Sequence, residues 1–431
     1  MTGNPTAPVP HLSTALTGPL KLLESQILDQ QIRIESWFRS EWRKTPAPFY
    51  ASVDLRNAGF KIAPVDTNLF PAGFNNLNPV FESLCIQSVQ QAVEHLGRPI
   101  DRIAIIPENH TRNLFYLENV AVLERIMQKA GFEVRVGSLM PDLQQPLAVD
   151  LPSGNHITLN TSGRSNGRLK IGDFDPDLIV LNNDLASGVP DLLTDIEQLI
   201  IPAIGLGWSQ RLKSEHFGFY RDVATELADL IGIDPWLIDP MFRNCGEVDF
   251  MKREGESCLS ANITVVLNEI QKKYDEYNVD SKPFVIVKAD SGSYGMGVIT
   301  LHSAEEVLEL NRKQRSKMAT TKEGQKITKA IIQEGVYTNE TWEQADTVAE
   351  PVVYMIDQNV VGGFYRVHNE KASDENLNSP GMRFEMLAFD ECCNSPDRRQ
   401  AQDAHPNRFY TYGVIARLAL LAAARESGRH N

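Results

Sequence analysis

The chain has few cysteines, no excess of positive charge and no long apolar run, and each shortage closes off a class of protein. Its five cysteines in 431 residues are Cys85, Cys245, Cys258, Cys392 and Cys393; none forms a Cys-x-x-Cys pair or a Cys/His zinc spacing. A sparse, odd set reads as reduced thiols in a cytoplasmic protein, and without a nucleophile context they are expected to be small buried hydrophobes. The formal net charge of −14 argues against a nucleic-acid partner, which needs a concentrated basic surface. No stretch approaches the length of a membrane span, and residues 1–20 lack the basic start and apolar centre of a secretory signal. With 42% hydrophobic and 23% charged residues the composition is that of a globular protein, and the length asks for two or three domains. A homo-oligomer is left open.

What the chain does have is concentrated in Pro-Phe-Val-Ile-Val-Lys-Ala-Asp-Ser-Gly-Ser-Tyr-Gly-Met-Gly-Val-Ile-Thr-Leu at 283–301. A β-branched run ends in Lys288, a loop with Ser291, Gly292, Ser293, Gly295 and Gly297 follows, and a second β-branched run resumes. Glycines let backbone N–H groups approach anionic oxygens without Cβ obstruction, and the lysine adds a point charge for the same phosphates. A P-loop places its lysine after the glycines and opens a helix. A dinucleotide fingerprint also needs a helix, and a kinase loop takes its lysine from the next strand. Strand, lysine, glycine hairpin, strand is the order used by ATP-grasp ligases. An ordinary glycine-rich hairpin with an exposed lysine is the simpler alternative.

Around this motif the chain divides into three parts. Residues 1–100 are expected to hold a long amphipathic helix over 20–44, a loop-like stretch over 49–78 dense in Asn, Pro and Gly, and a helix over 81–96. Residues 101–205 read as a small Rossmann-like α/β unit: a strand at 102–107, a helix at 113–130, and strands at 132–136, 177–181 and 199–204. Residues 206–431 begin mostly helical to 277. Strands then follow at 283–289, 296–301, 330–335, 346–356 and 359–367, with a helix at 304–312, a basic, mobile stretch at 312–329 and a tail helix at 413–426. The fold class is α/β (α+β).

Several groups in the last part could serve a nucleotide. Gln333, Glu334 and Val336 end a strand that can offer its edge to adenine, or they are solvated edge residues. Glu350 could hold a ribose hydroxyl or assist a metal, or be a strand-end surface charge. Arg366, on a strand of alternating pattern, could bind a phosphoryl group or a substrate carboxylate, or face solvent. Asn376 lies in a polar turn that could fix an acyl phosphate or cap a helix. Phosphate chemistry also needs a divalent metal with oxygen ligands, and the segment after Arg366 supplies no carboxylate–amide pair for it. Such a pair stands upstream as Asp66-x-Asn68, with Asp290 as a third candidate; the alternative is Asx-turn capping in a loop. Substrate groups are sought in Arg56, Asn75 and Asn76 beside that pair, in Arg112 and in Asn182, Asn183 and Asp184 after strand ends, and in a cluster of Arg211, Lys213 and His216. His110 reads as a loop hydrogen-bonder.

The strings at 52–77 and 285–297, with Ala-Glu-Pro-Val-Val-Tyr at 349–354, resemble the proteobacterial, Thiobacillus-type ATP-grasp glutamate–cysteine ligases through nearly the whole chain. The position of Asp66-x-Asn68 is similar to that in the circularly permuted, eukaryotic-type glutathione synthetases. The resemblance implies a circularly permuted ATP-grasp fold, ATP and Mg²⁺, and the joining of L-glutamate to L-cysteine through an acyl phosphate, the first step of glutathione synthesis. It gives Lys288 and the loop amides the phosphates, Asp66 and Asn68 the metal, and Arg366 the transferring oxygens. Another amino-acid or peptide ligase, such as a glutathione synthetase, and an ATP-binding regulatory protein without turnover are the alternatives.

Overall fold

The computed structural model describes residues 18–109, 112–208, 210–291, 297–320, 326–342, 347–385, 396–402 and 404–428. Over these residues it is a mixed α/β structure built on three sheets. The expected N-terminal helix is two helices, α1 (Gly18–Asp29) and α2 (Gln31–Lys44), because Gln30 leaves helical geometry with ψ of 9°. The following stretch is not a loop. It forms a hairpin of β1 (Tyr50–Asn57) and β2 (Ile62–Asn68), closed by Ala58 N donating to Lys61 O and Asn57 Oδ1 accepting from Gly59 N. Pro64 is tolerated because β2 is an edge strand, where a missing N–H breaks no ladder on the outer side. Helix α3 (Glu82–Glu94) follows.

The α/β unit has the expected strand–helix–strand start in β3 (Arg102–Pro107), α4 (Leu114–Lys129) and β4 (Glu133–Ser138). Unanticipated strands β5 (Leu147–Asp150), β6 (His156–Ser165) and β7 (Arg168–Ile171) extend it, β6 parallel to β4 and β5 and β7 antiparallel to β6, before β8 (Leu178–Asn182) and a short β9 (Leu199–Ile201) complete the parallel part. The order is β5-β6-β4-β3-β8-β9, with β7 on β6.

The next region is less helical than its composition suggests. Between α5 (Lys213–Ile231) and α6 (Glu256–Tyr277) lies β10 (Phe242–Glu247). It joins β11 (Val285–Ala289), β12 (Val298–Leu301) and β13 (Lys329–Glu334) in a sheet ordered β10-β13-β11-β12. A helix was expected at 304–312; instead α7 (Arg312–Ala319) starts later, fixed by a capping box between Asn311 and Gln314, and occupies part of the stretch expected to be mobile. Strands β14 (Val348–Ile356), β15 (Asn359–His368) and β16 (Arg383–Glu385) complete the third sheet, and α8 (His405–Ser427) starts eight residues before the expected tail helix.

That third sheet runs β16-β15-β14-β1-β2 and sets up the site. The antiparallel register pairs Ser52 with Tyr354 and Asp54 with Val352, so the N-terminal hairpin is part of a sheet made largely from the far end of the chain. One face of β1, with Ala51, Val53 and Leu55, shares a core with the apolar side chains of α8. Burying each Val or Leu contributes about 1.5–3 kcal/mol, which ties the hairpin to α8. Alternation turns Ser52, Asp54 and Arg56 the other way. Among the described residues no helix is long and apolar enough to cross a membrane.

Candidate active site

The polar face of the third sheet, the β11–β13 sheet and the C-terminal ends of β3 and β8 enclose a cavity of about 640 Å³. The sheet supplies Asp54 and Arg56 from β1, Asp66 and Asn68 from β2, Glu350 and Tyr354 from β14, and Arg366 from β15. Lys288, Gln333 and Glu334 come from the four-stranded sheet, and Val336 from the chain just after β13. Glu108, Asn119 and Asp184 come from the α/β unit, where strand ends ordinarily meet ligands.

Lys288 joins the two halves. Its Nζ donates to Val65 O at 2.7 Å, next to Asp66, and to Gln333 Oε1 at 2.7 Å. Burial pulls this ammonium down to about 8; Lys213 and Arg56 add to the depression and Asp66 opposes it. Among the described residues, buried Gln333 Nε2 has no hydrogen-bond partner, a spare donor on a residue lining the cavity. The glycine-loop residues Gly292, Ser293 and Gly295 lie outside the described residues, as do His110, Cys392 and Cys393. Ser291 does not line the cavity, while Gly297, at φ of +64°, closes the hairpin through Ala289 N donating to its carbonyl.

Arg366 sits in a ladder of alternating charge. Its Nη1 lies 2.8 Å from Asp54 Oδ2 and 2.5 Å from Glu350 Oε1, and Glu350 Oε2 lies 3.1 Å from Arg56 Nε. Burial works against the Arg366 charge, but the two carboxylates outweigh it and hold the guanidinium protonated. Burial also raises the Asp54 carboxyl, with Glu350 adding to the rise and Arg366 opposing it. Among the described residues Arg366 Nε has no partner. Glu350 lines the cavity with one oxygen held by each of two arginines. Arg56 also donates to Val336 O, Ser373 O and Glu375 O, so it pins the strand exit and the 373–375 segment beside the cavity.

Other expected groups are turned to different uses. Glu334 is read from its place on the cavity wall, but its carboxylate is consumed by Lys61 Nζ at 2.9 Å, Trp236 Nε1 at 3.1 Å and Met241 N at 3.0 Å. Asp290 lies off the cavity lining: its two oxygens accept from Ser214 N and Oγ, both at 2.8 Å, at the start of α5. The third metal ligand expected there is therefore a helix cap. Arg112 is exposed before α4, and Arg211 is buried behind the wall; neither lines the cavity. Arg56, Asn75, Asn76 and Asn376 do. Asn68 Oδ1 accepts from Phe70 N at 2.9 Å, so the Asx turn weighed as an alternative is present, and Asn68 still lines the cavity.

Sequence reasoning missed Asp54, Tyr354 and Asn119. Asn119 Oδ1 accepts from Gly73 N and Phe74 N, at 2.8 and 2.9 Å, and so holds the turn that presents Asn75 and Asn76. Lys213, one of a cluster seen in sequence, lines the cavity with its ammonium 3.7 Å from the Trp208 ring centroid. Strand periodicity over 50–57 is the signal that would have found Asp54.

A family model described as glutamate–cysteine ligase (GshA) matches residues 24–427. Among solved structures, a protein of Methylobacillus flagellatus provisionally assigned as a gamma-glutamylcysteine synthetase is 54% identical, with a TM-score of 0.92, covering 98% of this chain and 99% of its own. A glutathione synthetase-like effector of Globodera pallida is 9% identical at a TM-score of 0.40, over 87% of this chain and 88% of its own, too distant to carry an argument. No curated protein matches.

Proposed function

The chain belongs to the glutamate–cysteine ligase family, and we propose that the cavity between its sheets is where it joins L-glutamate to L-cysteine with ATP. It is an ATP-dependent ligase that forms gamma-glutamylcysteine. The observation that carries the site assignment is the meeting of Lys288 with the Asp66 strand in one cavity. Two sheets flanking a nucleotide-sized cleft, and an N-terminal hairpin built into a C-terminal sheet, support an ATP-grasp fold in permuted order. Free thiols at Cys85, Cys245 and Cys258 support a reducing, cytoplasmic setting.

The residues fit Mg²⁺. Asp66 and Asn68 offer hard oxygen donors from one face of β2, and among the described residues no cluster of three or more His, Cys, Asp or Glu forms a closed cage. Mg²⁺ is ordinarily held by one or two carboxylates together with substrate phosphates, which is what this arrangement would provide. When bound, the ion would neutralise phosphate charge during transfer.

In the reading we favour, a γ-carboxylate oxygen of glutamate attacks the γ-phosphorus of ATP, the bond to the β-phosphate oxygen breaks and ADP leaves. The cysteine amine then attacks the acyl carbon, loses its proton, and phosphate departs with the bonding pair. The chain's part is placement and charge. Lys288 and Lys213 would hold phosphate oxygens, Arg366 the acyl-phosphate oxygens, and Ile286, Val298 and the Gln333–Val336 backbone the adenine, whose edge must be read without the Glu334 carboxylate.

The test is ADP release with glutamate and cysteine supplied together. Asp66→Ala should retain the fold and lose turnover. ADP release with gamma-glutamylcysteine and glycine instead would move the assignment to a glutathione synthetase, and nucleotide binding without ADP release would leave a regulatory protein.

A further inference from the structure

Arg211 and His216 do not reach the cavity, yet they are tied to it. Arg211 Nε donates to Glu426 Oε1 of α8 at 2.7 Å, and Nη1 donates to Thr67 O at 2.9 Å. His216 Nδ1 lies 3.1 Å from Glu426 Oε2 and 2.8 Å from Arg211 Nη2, and Nε2 lies 2.9 Å from Thr67 Oγ1. All four side chains are buried, none more than 2% exposed. Burial, helped by Arg211 and opposed by Glu426, favours a neutral imidazole. Nε2 pairs with the Thr67 hydroxyl, which can donate or accept, while a neutral Nδ1 either accepts from Arg211 Nη2 or donates to Glu426 Oε2.

Thr67 is the residue between Asp66 and Asn68. Strand alternation points those two into the cavity and Thr67 away from it. β2 is an edge strand, laddered to β1 on one side only. On its open side, two cations take the outward carbonyls instead, Lys288 at Val65 and Arg211 at Thr67. A buried ion pair is a poor source of stability because of its desolvation cost, but it can specify one geometry. Mg²⁺ tolerates little departure from octahedral geometry, so the twist of this short segment matters.

We propose that Arg211, His216 and Glu426 form a positioning clamp on Thr67 that sets the Asp66 and Asn68 oxygens at the spacing a divalent cation requires. The inference rests on Asp66 and Asn68 being the metal ligands. None of the three clamp residues touches substrate; they act through β2.

The test is Mn²⁺ binding, followed by electron paramagnetic resonance in the presence of a non-hydrolysable ATP analogue, alongside thermal unfolding without metal. Thr67→Val removes the hydroxyl and keeps the shape; Thr67→Ser keeps the hydroxyl; Glu426→Gln removes the charge. Thr67→Val and Glu426→Gln should weaken Mn²⁺ binding by about 10- to 100-fold, while Thr67→Ser binds as the parent does. The melting temperature of Thr67→Val should move by only a few degrees, and if Glu426→Gln does not fold, Thr67→Val decides alone. Asp66→Ala separates the two readings. If it abolishes Mn²⁺ binding while Thr67→Val and Glu426→Gln bind like the parent, the clamp is refuted and the metal site stands. If Asp66→Ala binds Mn²⁺ unchanged, the metal reading fails and the clamp with it.

Discussion

Lys61→Met puts the buried pair behind the Gln333–Val336 wall of the cavity to a quantitative test. Lys61 Nζ lies 2.9 Å from Glu334 Oε2, both side chains are almost fully buried, and the ammonium also stands 4.4 Å from the Trp236 ring centroid. At that separation, with an effective dielectric constant near 20, the gross attraction is about 6 kcal/mol. Removing the lysine also removes its own desolvation cost, so the net loss is smaller; breaking one partner of a buried pair ordinarily costs about 3–5 kcal/mol. Glu334 keeps Trp236 Nε1 and Met241 N as donors, which places the loss near the lower bound, about 3 kcal/mol. Urea unfolding followed by tryptophan fluorescence measures it. Adding Glu334→Gln to Lys61→Met removes the stranded charge and should recover at least about 1 kcal/mol. A loss below about 1 kcal/mol for the single change, or a double variant less stable than the single, refutes the reasoning.

Lys288 gives a pH signature with two opposite signs. Its folded-state pKa of about 8 lies below the ordinary 10.5, so between these values the unfolded chain binds more protons and the fold gains stability as pH rises. Phosphate affinity falls over the same rise because the ammonium is lost, so kcat/KM for ATP should decline above pH 8 and Lys288→Met should flatten the profile. Arg366→Lys cannot bridge Asp54 and Glu350 while pointing donors at an acyl phosphate, and steady-state kinetics should show kcat down by about 10²-fold with a smaller change in KM. In Gly335→Ala the new Cβ would enter the Phe284 ring, costing about 1–3 kcal/mol and weakening nucleotide binding, measurable by calorimetry with ADP.

The parts of the site legible in sequence were those whose chemistry is written in local order. Lys288 before its glycines, and Asp66 two residues before Asn68, name residue types and spacing that strand alternation then places on one face. Direction was not legible. Asp290, two residues past Lys288, turns back to cap α5, and Arg211 points to Glu426 some two hundred residues away. The stretch over 49–78 was misread because Asn, Pro and Gly are local turn signals, whereas its strand character comes from pairing with β14. Asp54 was lost with it. The α1–α2 break has no glycine or proline to announce it, and α7 was displaced because its capping box outweighs the weak apolar pattern before it.

The pairing of Ser52 with Tyr354 has a consequence for how the molecule comes into being. During synthesis the hairpin emerges early, with Ala51, Val53 and Leu55 exposed and one edge unpaired, and it waits until β14 has left the ribosome. Contacts so distant in sequence close slowly, and an apolar strand left open invites wrong partners meanwhile. Nascent chains that end before β14 should therefore resist neither protease nor aggregation through this hairpin, and protection by a bound ATP analogue should arrive together with the β1–β14 pairing. The polar face of the third sheet is assembled in one late event, because β1 and β14 are the most widely separated neighbours in it.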